Sequence, residues 1–245
     1  WHDKFFNLYD PQWNLIKPDP RSRGNPALDW IKPICGAACG DKDQLADTRR
    51  RIEALGDSRH ASRQVFATGW NFVTGLGLPH PLENGFHWHH TLGVPYLPGS
   101  SVKGLLRAWM KTWAEDVNED RDKLLDAWFG GKRGEGELIF FDALPVEPVT
   151  LAADVMTPHM GKWYEQGGDI KSVDDDHDKV PADWHNPEPH FFLVVKNAKF
   201  LFQIAPRRGK DGETAGQAMG FLKDALDYLG AGAKTGAGYG RMVPD

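Results

Sequence analysis

The sequence predicts an α+β domain of ferredoxin-like order: strand, helix, strand, strand, helix, strand. Three observations carry this expectation. Apolar runs bounded by glycines or turn residues recur at 62–77, 137–144, 190–205 and 239–243. Two stretches, 100–110 and 215–229, repeat their apolar residues at helical spacing. These segments follow one another in the required order once an irregular N-terminal arm with one helix (1–61) and a polar insertion (about 145–189) are set aside from the domain at 62–245.

Composition bounds what such a chain does. With 245 residues, 40% hydrophobic and 26% charged, it can hold one elaborated domain or two small ones around a true core. No apolar run approaches the roughly 18 residues that span a membrane, and Trp1 opens no signal peptide, so a cytoplasmic chain without membrane partners is expected. Cys35 and Cys39 are the two cysteines, which points to a reducing compartment. A net charge of −5 argues against a free-standing, non-specific nucleic-acid binder, whose domain is usually basic. A local basic groove remains open, because phosphates are met by patches and not by net charge.

The elements are justified in order. Residues 1–40 are rich in Trp, Pro and Gly without a steady period. The pair Cys35 and Cys39 lacks the second pair that zinc needs, so free buried thiols are expected. Residues 41–55 form a helix with Leu45, Ile52 and Leu55 as its apolar stripe and Gly56 as its stop. Arg49, Arg50 and Arg51 are read as its solvated face. The first core strand carries Val65, Ala67, Phe72 and Val73. A loop with His80, His87, His89 and His90 follows, and no cysteine or carboxylate there completes a metal-binding spacing.

The next helix has Ser100 or Ser101 as N-cap and Val102, Leu105, Leu106, Trp109 and Met110 on one face. Its first turn joins unpaired N–H groups to two hydroxyls, Lys103 and, one turn on, Arg107. That equipment suits a phosphate at a helix N-terminus, and equally an ordinary capped amphipathic helix. A charged connector after Glu115 leads to a short helix at 123–129, then to the buried strand at 137–144. In the insertion, the acidic run 174–178 reads as a solvated loop. Residues 190–205 supply one or two strands, and 215–229 the second helix, with Phe221, Leu222, Ala225, Leu226 and Leu229 on one face.

Between this helix and the last strand lie five glycines from Gly230 to Gly240, with Lys234 as the only charge in that span. Glycines at positive φ let a loop turn tightly and expose N–H groups, which with a lysine suit an anion. A Walker A loop is excluded, because Ala233 precedes Lys234 and Tyr228 occupies the first glycine position. A dinucleotide fingerprint is excluded too, since its third glycine would fall on Thr235 or Arg241 and five residues after Gly240 leave no room for a helix. A nucleic-acid phosphate or a plain turn remains.

Two stretches together resemble the RAMP proteins of CRISPR effector complexes: Pro95-Tyr-Leu-Pro-Gly-Ser-Ser-Val-Lys-Gly-Leu-Leu-Arg107 and Gly236-Ala-Gly-Tyr-Gly-Arg241. Gly77-Leu-Pro-His-Pro-Leu-Glu-Asn-Gly85 and Met156-Thr-Pro-His159 sharpen the resemblance to the sixth-subunit family of the type III-B Cmr complex, over about 62–245. The resemblance implies an RNA-recognition-motif-like RAMP fold with a thumb-like insertion. It also implies a non-catalytic backbone subunit in antiviral defence that grips the 3′ part of a guide RNA and the guide–target duplex. The partners implied are guide RNA, target RNA, other backbone RAMP subunits and the small subunit, with no cofactor. Carried over, Ser100, Ser101, Lys103 and Arg107 meet phosphates from one side, and Gly232, Lys234, Thr235, Gly236 and Arg241 from the other. Thr157 and His159 lie against the duplex. In that family another backbone subunit cuts target RNA with an aspartate after its first strand; here 73–85 offers Glu83 and no Asp. The alternative is a metal-independent endoribonuclease using His87, His89 or His90 as acid or base, with Lys103 or Lys234 stabilising charge.

Overall fold

The structure, a computed structural model, describes residues 26–80, 84–114, 121–132, 134–167, 170–172, 174, 177, 179–182, 184, 185, 187, 189–208 and 212–245. Residues 1–25 of the expected arm, Glu83, the connector from Glu115 to 120, and Asp175, Asp176 and Asp178 of the acidic run lie outside these. In chain order the elements are α1 (Pro26–Ile31), a 3-10 turn (Lys32–Ile34), β1 (Ala38–Cys39), α2 (Lys42–Ser58), β2 (Ser62–Thr68), β3 (Trp88–His89), β4 (Val94–Pro95), α3 (Gly99–Thr112), α4 (Arg121–Phe129), β5 (Gly130–Gly131) and β6 (Gly134–Glu135). They continue with β7 (Leu138–Phe140), β8 (Leu144–Pro145), β9 (Val149–Met156), α5 (Gly161–Gln166), β10 (His190–Lys196), β11 (Lys199–Pro206), α6 (Glu213–Tyr228), a second 3-10 turn (Thr235–Ala237) and β12 (Met242–Pro244).

The main sheet runs β12–β2–β11–β7 in space, with β8 also paired to β11 and every pairing antiparallel. Counting β2, β7 with β8, β11 and β12 as first to fourth, the spatial order is fourth, first, third, second. With α3 and α6 as the two crossovers this is the ferredoxin-like arrangement. β11 is buried on both faces, which explains its almost continuous apolar run Phe-Leu-Phe-Gln-Ile. Phe200, Phe202 and Ile204 join the core under α3 and α6, where Val102, Leu106, Met110, Leu222 and Leu226 are fully buried. Each such side chain contributes about 1.5–3 kcal/mol by leaving water. Leu201 and Gln203 alternate to the other face, against α2.

That second face explains a departure from the sequence expectation. Gly56 does not stop α2, which continues to Ser58. Gly56 is buried, and a Cβ there would collide with the amide of Gln203, whose Nε2 donates to the Ile52 carbonyl at 3.1 Å. The glycine is therefore a close-packing residue. Leu55 is 48% exposed and does not belong to the stripe. Asp41 caps α2 by accepting from Gln44 N–H at 2.9 Å. Arg49 pairs with Glu53 at 2.9 Å, and Arg50 and Arg51 both pair with Asp47, so the arginine run is held along its own helix.

The cap of α3 is also not the expected one. Pro98 is its N-cap, and neither Ser100 nor Ser101 caps it with a side chain. Instead Asp142, from the link between β7 and β8, accepts from Gly99 N–H at 2.7 Å. A carboxylate there satisfies one of the orphan donors and complements the positive end of the helix. Asp142→Ala is expected to cost about 1 kcal/mol in urea unfolding, while Ser100→Ala changes stability by less than about half of that.

The segment 145–189 contains a strand that its polar composition hides. β9 pairs with β10 over seven positions, from His190 opposite Met156 to Lys196 opposite Thr150, and β1 adds to the other edge of β9. The 190–205 stretch is two strands that turn at Asn197, where φ is +49°; β10 belongs to this second sheet and β11 to the first. β2 ends at Thr68, short of Phe72 and Val73, and an isolated bridge from Phe72 to Val195 ties the segment after β2 to β10 of the second sheet. Among the described residues no helix is long and apolar enough to cross a membrane.

Candidate nucleic-acid interface

The first turns of α3 and the glycine-rich segment face each other across a groove of about 500 Å³. Ser101 and Leu105 line it from the helix, Gly232 and Thr235 from the loop, and Gly75 and His87 from a third wall. The loop is laced to the chain after β2: Ala233 N–H donates to the Val73 carbonyl and Gly240 N–H to the Asn71 carbonyl, both at 2.8 Å. These close approaches require glycine at two positions. Gly232 has φ +90° and its missing Cβ would collide with the Val73 carbonyl oxygen; Gly240 has φ +77° and would collide with Ala231. Part of the expected row of free N–H groups is thus consumed within the fold. Among the described residues no backbone carbonyl accepts from the N–H of Gly232, Lys234, Thr235 or Gly236. The last three lead into the 3-10 turn, whose first donors have no partner of their own.

A carboxylate not foreseen from the sequence holds this wall in place. Asp154 of β9 accepts from Asn71 Nδ2 at 2.6 Å and from the Tyr239 hydroxyl at 2.9 Å. Burial, and then the bond to Asp154 and its charge, push the Tyr239 phenol up to about 12. Lys234 adopts φ +59° and carries its ammonium to the same sheet, 3.0 Å from Met156 Sδ and 5.1 Å from the centre of the Phe192 ring. Thr157 and His159 follow Met156, and both are exposed. Among the described residues Lys103 and Lys234 have no carboxylate within salt-bridge distance, whereas Arg241 is paired with Asp227 at 2.7 Å.

The groove therefore brings together Ser101, Gly232 and Thr235, with Lys234 and Gly236 on the same loop. Ser100 and Lys103 lie on the adjoining first turn of α3, exposed and partly exposed. Arg107 points elsewhere, into a separate depression bounded by Lys123, Asp126 and Glu135.

With this geometry in view, the comparisons decide the lineage. The model of the RAMP superfamily matches residues 56–243. The chain belongs to the RAMP superfamily. Among curated relatives, "CRISPR system Cmr subunit Cmr6" of Pyrococcus furiosus is 32% identical, over 76% of this chain and 69% of that protein. The corresponding Cmr6 of Saccharolobus solfataricus is 27% identical over 64% of this chain and 47% of its own length. A chain in the cryo-EM structure of the Type III-B Cmr-beta bound to cognate target RNA superposes with a TM-score of 0.67 at 19% identity, covering 89% of this chain and 71% of that one, which is a likeness of fold.

The histidines of this RAMP chain divide by position. His87 lines the groove and packs over Gly75, His89 accepts from Leu92 N–H at 3.3 Å, and His90 is exposed. Among the described residues no group of three or more His, Cys, Asp or Glu side chains is arranged to hold a metal ion. Cys35 and Cys39 are free, half-buried thiols, and burial raises both.

His80, against the Trp30 ring, and His87 both have their pKa lowered from 6.5 by burial. The folded state resists their protonation, so the unfolded chain binds more protons below about pH 6.5 and stability falls as pH drops. The melting temperature is expected to decline from pH 7.5 to 5.5, and His80→Gln or His87→Gln to make that decline shallower. An unchanged decline in both variants would assign the effect to other groups.

Proposed function

We propose that the chain is a non-catalytic RNA-binding backbone subunit of a type III-B Cmr ribonucleoprotein in antiviral defence. In this reading it grips the 3′ part of the guide RNA and the guide–target duplex, beside other RAMP backbone subunits and the small subunit. The observation that carries the reading is the groove between α3 and the glycine-rich loop, lined by Ser101 from one wall and by Gly232 and Thr235, whose N–H groups have no backbone acceptor among the described residues, from the other. Phosphate oxygens accept from such donors whatever the base sequence, so recognition is by backbone geometry and the guide's base pairing supplies specificity. Lys103 and Lys234 add charge that is not neutralised within the described fold, which reconciles a net charge of −5 with RNA binding. Similarity to Cmr6 supports the complex, and in this reading the exposed Thr157 and His159 would extend the contact toward the duplex.

The test is co-expression with Cmr subunits followed by incubation of the purified chain with repeat RNA in EDTA. Guide RNA is expected to copurify with the assembled complex, and the repeat RNA to stay intact. Specific cleavage that His87→Ala abolishes would replace this reading with the metal-independent endoribonuclease, which the place of His87 in the groove wall favours.

A further inference from the structure

Beyond the phosphate contacts, the geometry points to Trp70 as a stacking platform for an unpaired nucleobase of the bound RNA, an inference that rests on the RNA-groove reading. Trp70 leaves the end of β2 beside the glycine-rich loop and is 53% exposed. It is not a loosely held surface ring. The preceding Gly69 N–H donates to the Arg241 carbonyl at 2.8 Å, and the indole lies 4.8 Å from the Tyr239 ring, whose hydroxyl is bound to Asp154. The Gly238 backbone passes on the same side, with its Cβ position 3.8 Å from the indole. One part of the ring is therefore backed by fixed groups and the rest is open, so stacking on it orders no further side chain.

The occupant follows from the surroundings. An apolar peptide would meet the charged Lys234 and the free N–H groups of the 3-10 turn on the same loop, and would leave them desolvated. A nucleotide presents both matching parts, a π-face for Trp70 and a phosphate for the donors beside it. Stacking of this kind tolerates any base, consistent with binding that ignores sequence.

The experiment reconstitutes the complex with guide RNA carrying 5-iodouridine, whose base bonds under near-ultraviolet light to an aromatic ring stacked on it, and maps adducts by mass spectrometry. An adduct on Trp70 is expected. In parallel, Trp70→Ala is expected to weaken guide retention about tenfold with an unchanged salt dependence, and Trp70→Phe to keep most of it. Adducts elsewhere on α3 or the glycine-rich loop, with none on Trp70 and full retention in Trp70→Ala, would overturn the stacking role and leave the groove standing. No adduct anywhere on the chain, together with no guide RNA copurifying with the complex, would overturn both. Loss of a partner subunit in Trp70→Ala, with no Trp70 adduct, would assign the ring to a protein contact and also overturn the proposal.

Discussion

Gly232→Ala is expected to destabilise the protein by about 2–4 kcal/mol, while Gly236→Ala changes stability by less than about 0.5 kcal/mol. The two glycines belong to one loop and differ in backbone conformation and in what surrounds them. At Gly232 a methyl group faces two penalties, the left-handed φ of +90° and a collision with the Val73 carbonyl. That carbonyl is held in place, because it accepts from Ala233 N–H and its chain neighbour Phe72 is bridged to Val195. At Gly236 the same methyl group meets open space and φ is not in the left-handed region. Urea unfolding at constant m-value separates the two. Because Gly232 shapes the groove wall, its variant is also expected to release guide RNA, whereas Gly236→Ala retains most of it. Equal stability of the two variants would mean that the loop has no rigid path.

Much of the fold was legible because its signals are local. The apolar runs of β2, β7, β10–β11 and β12 and the helical stripes of α3 and α6 each lie within a few residues, and their order alone leads to the ferredoxin-like sheet. What escaped depends on partners far along the chain. Gly56 reads as a helix stop until Gln203 is seen against it. Ser100 and Ser101 read as caps because the actual one, Asp142, lies 43 residues from Gly99. β9 was hidden because only Val149 and Leu151 are deeply buried in a strand whose remaining residues are small, polar or half-covered.

The candidate site divides in the same way. Its two walls were identifiable from composition and from resemblance, and the fold sets Ser101 opposite Gly232 and Thr235. Asp154 and Asn71, which brace the glycine-rich wall with Tyr239, gave no sequence signal, since a single Asp in an insertion looks like any solvated acid. Arg107 illustrates the limit of helical spacing as a guide: one turn from Lys103, it opens on a different depression because α4 and the β5–β6 hairpin pack beside it.

Removing the two lysines together is expected to give the largest functional effect. Lys103→Ala with Lys234→Ala takes away cations that have no carboxylate partner among the described residues, so their charge is available to phosphate. By contrast Arg50 and Arg51 are already paired on α2, and Arg50→Ala with Arg51→Ala is the control of equal charge change. The direct measurement is guide RNA retention by the assembled complex across a salt series. The account predicts weaker retention in the lysine double variant and a slope of log affinity against log salt that is shallower by about 1–2, with the arginine control close to the parent. Retention and slope unchanged in the lysine variant, or changed equally in the arginine control, would contradict an RNA groove between α3 and the glycine-rich loop.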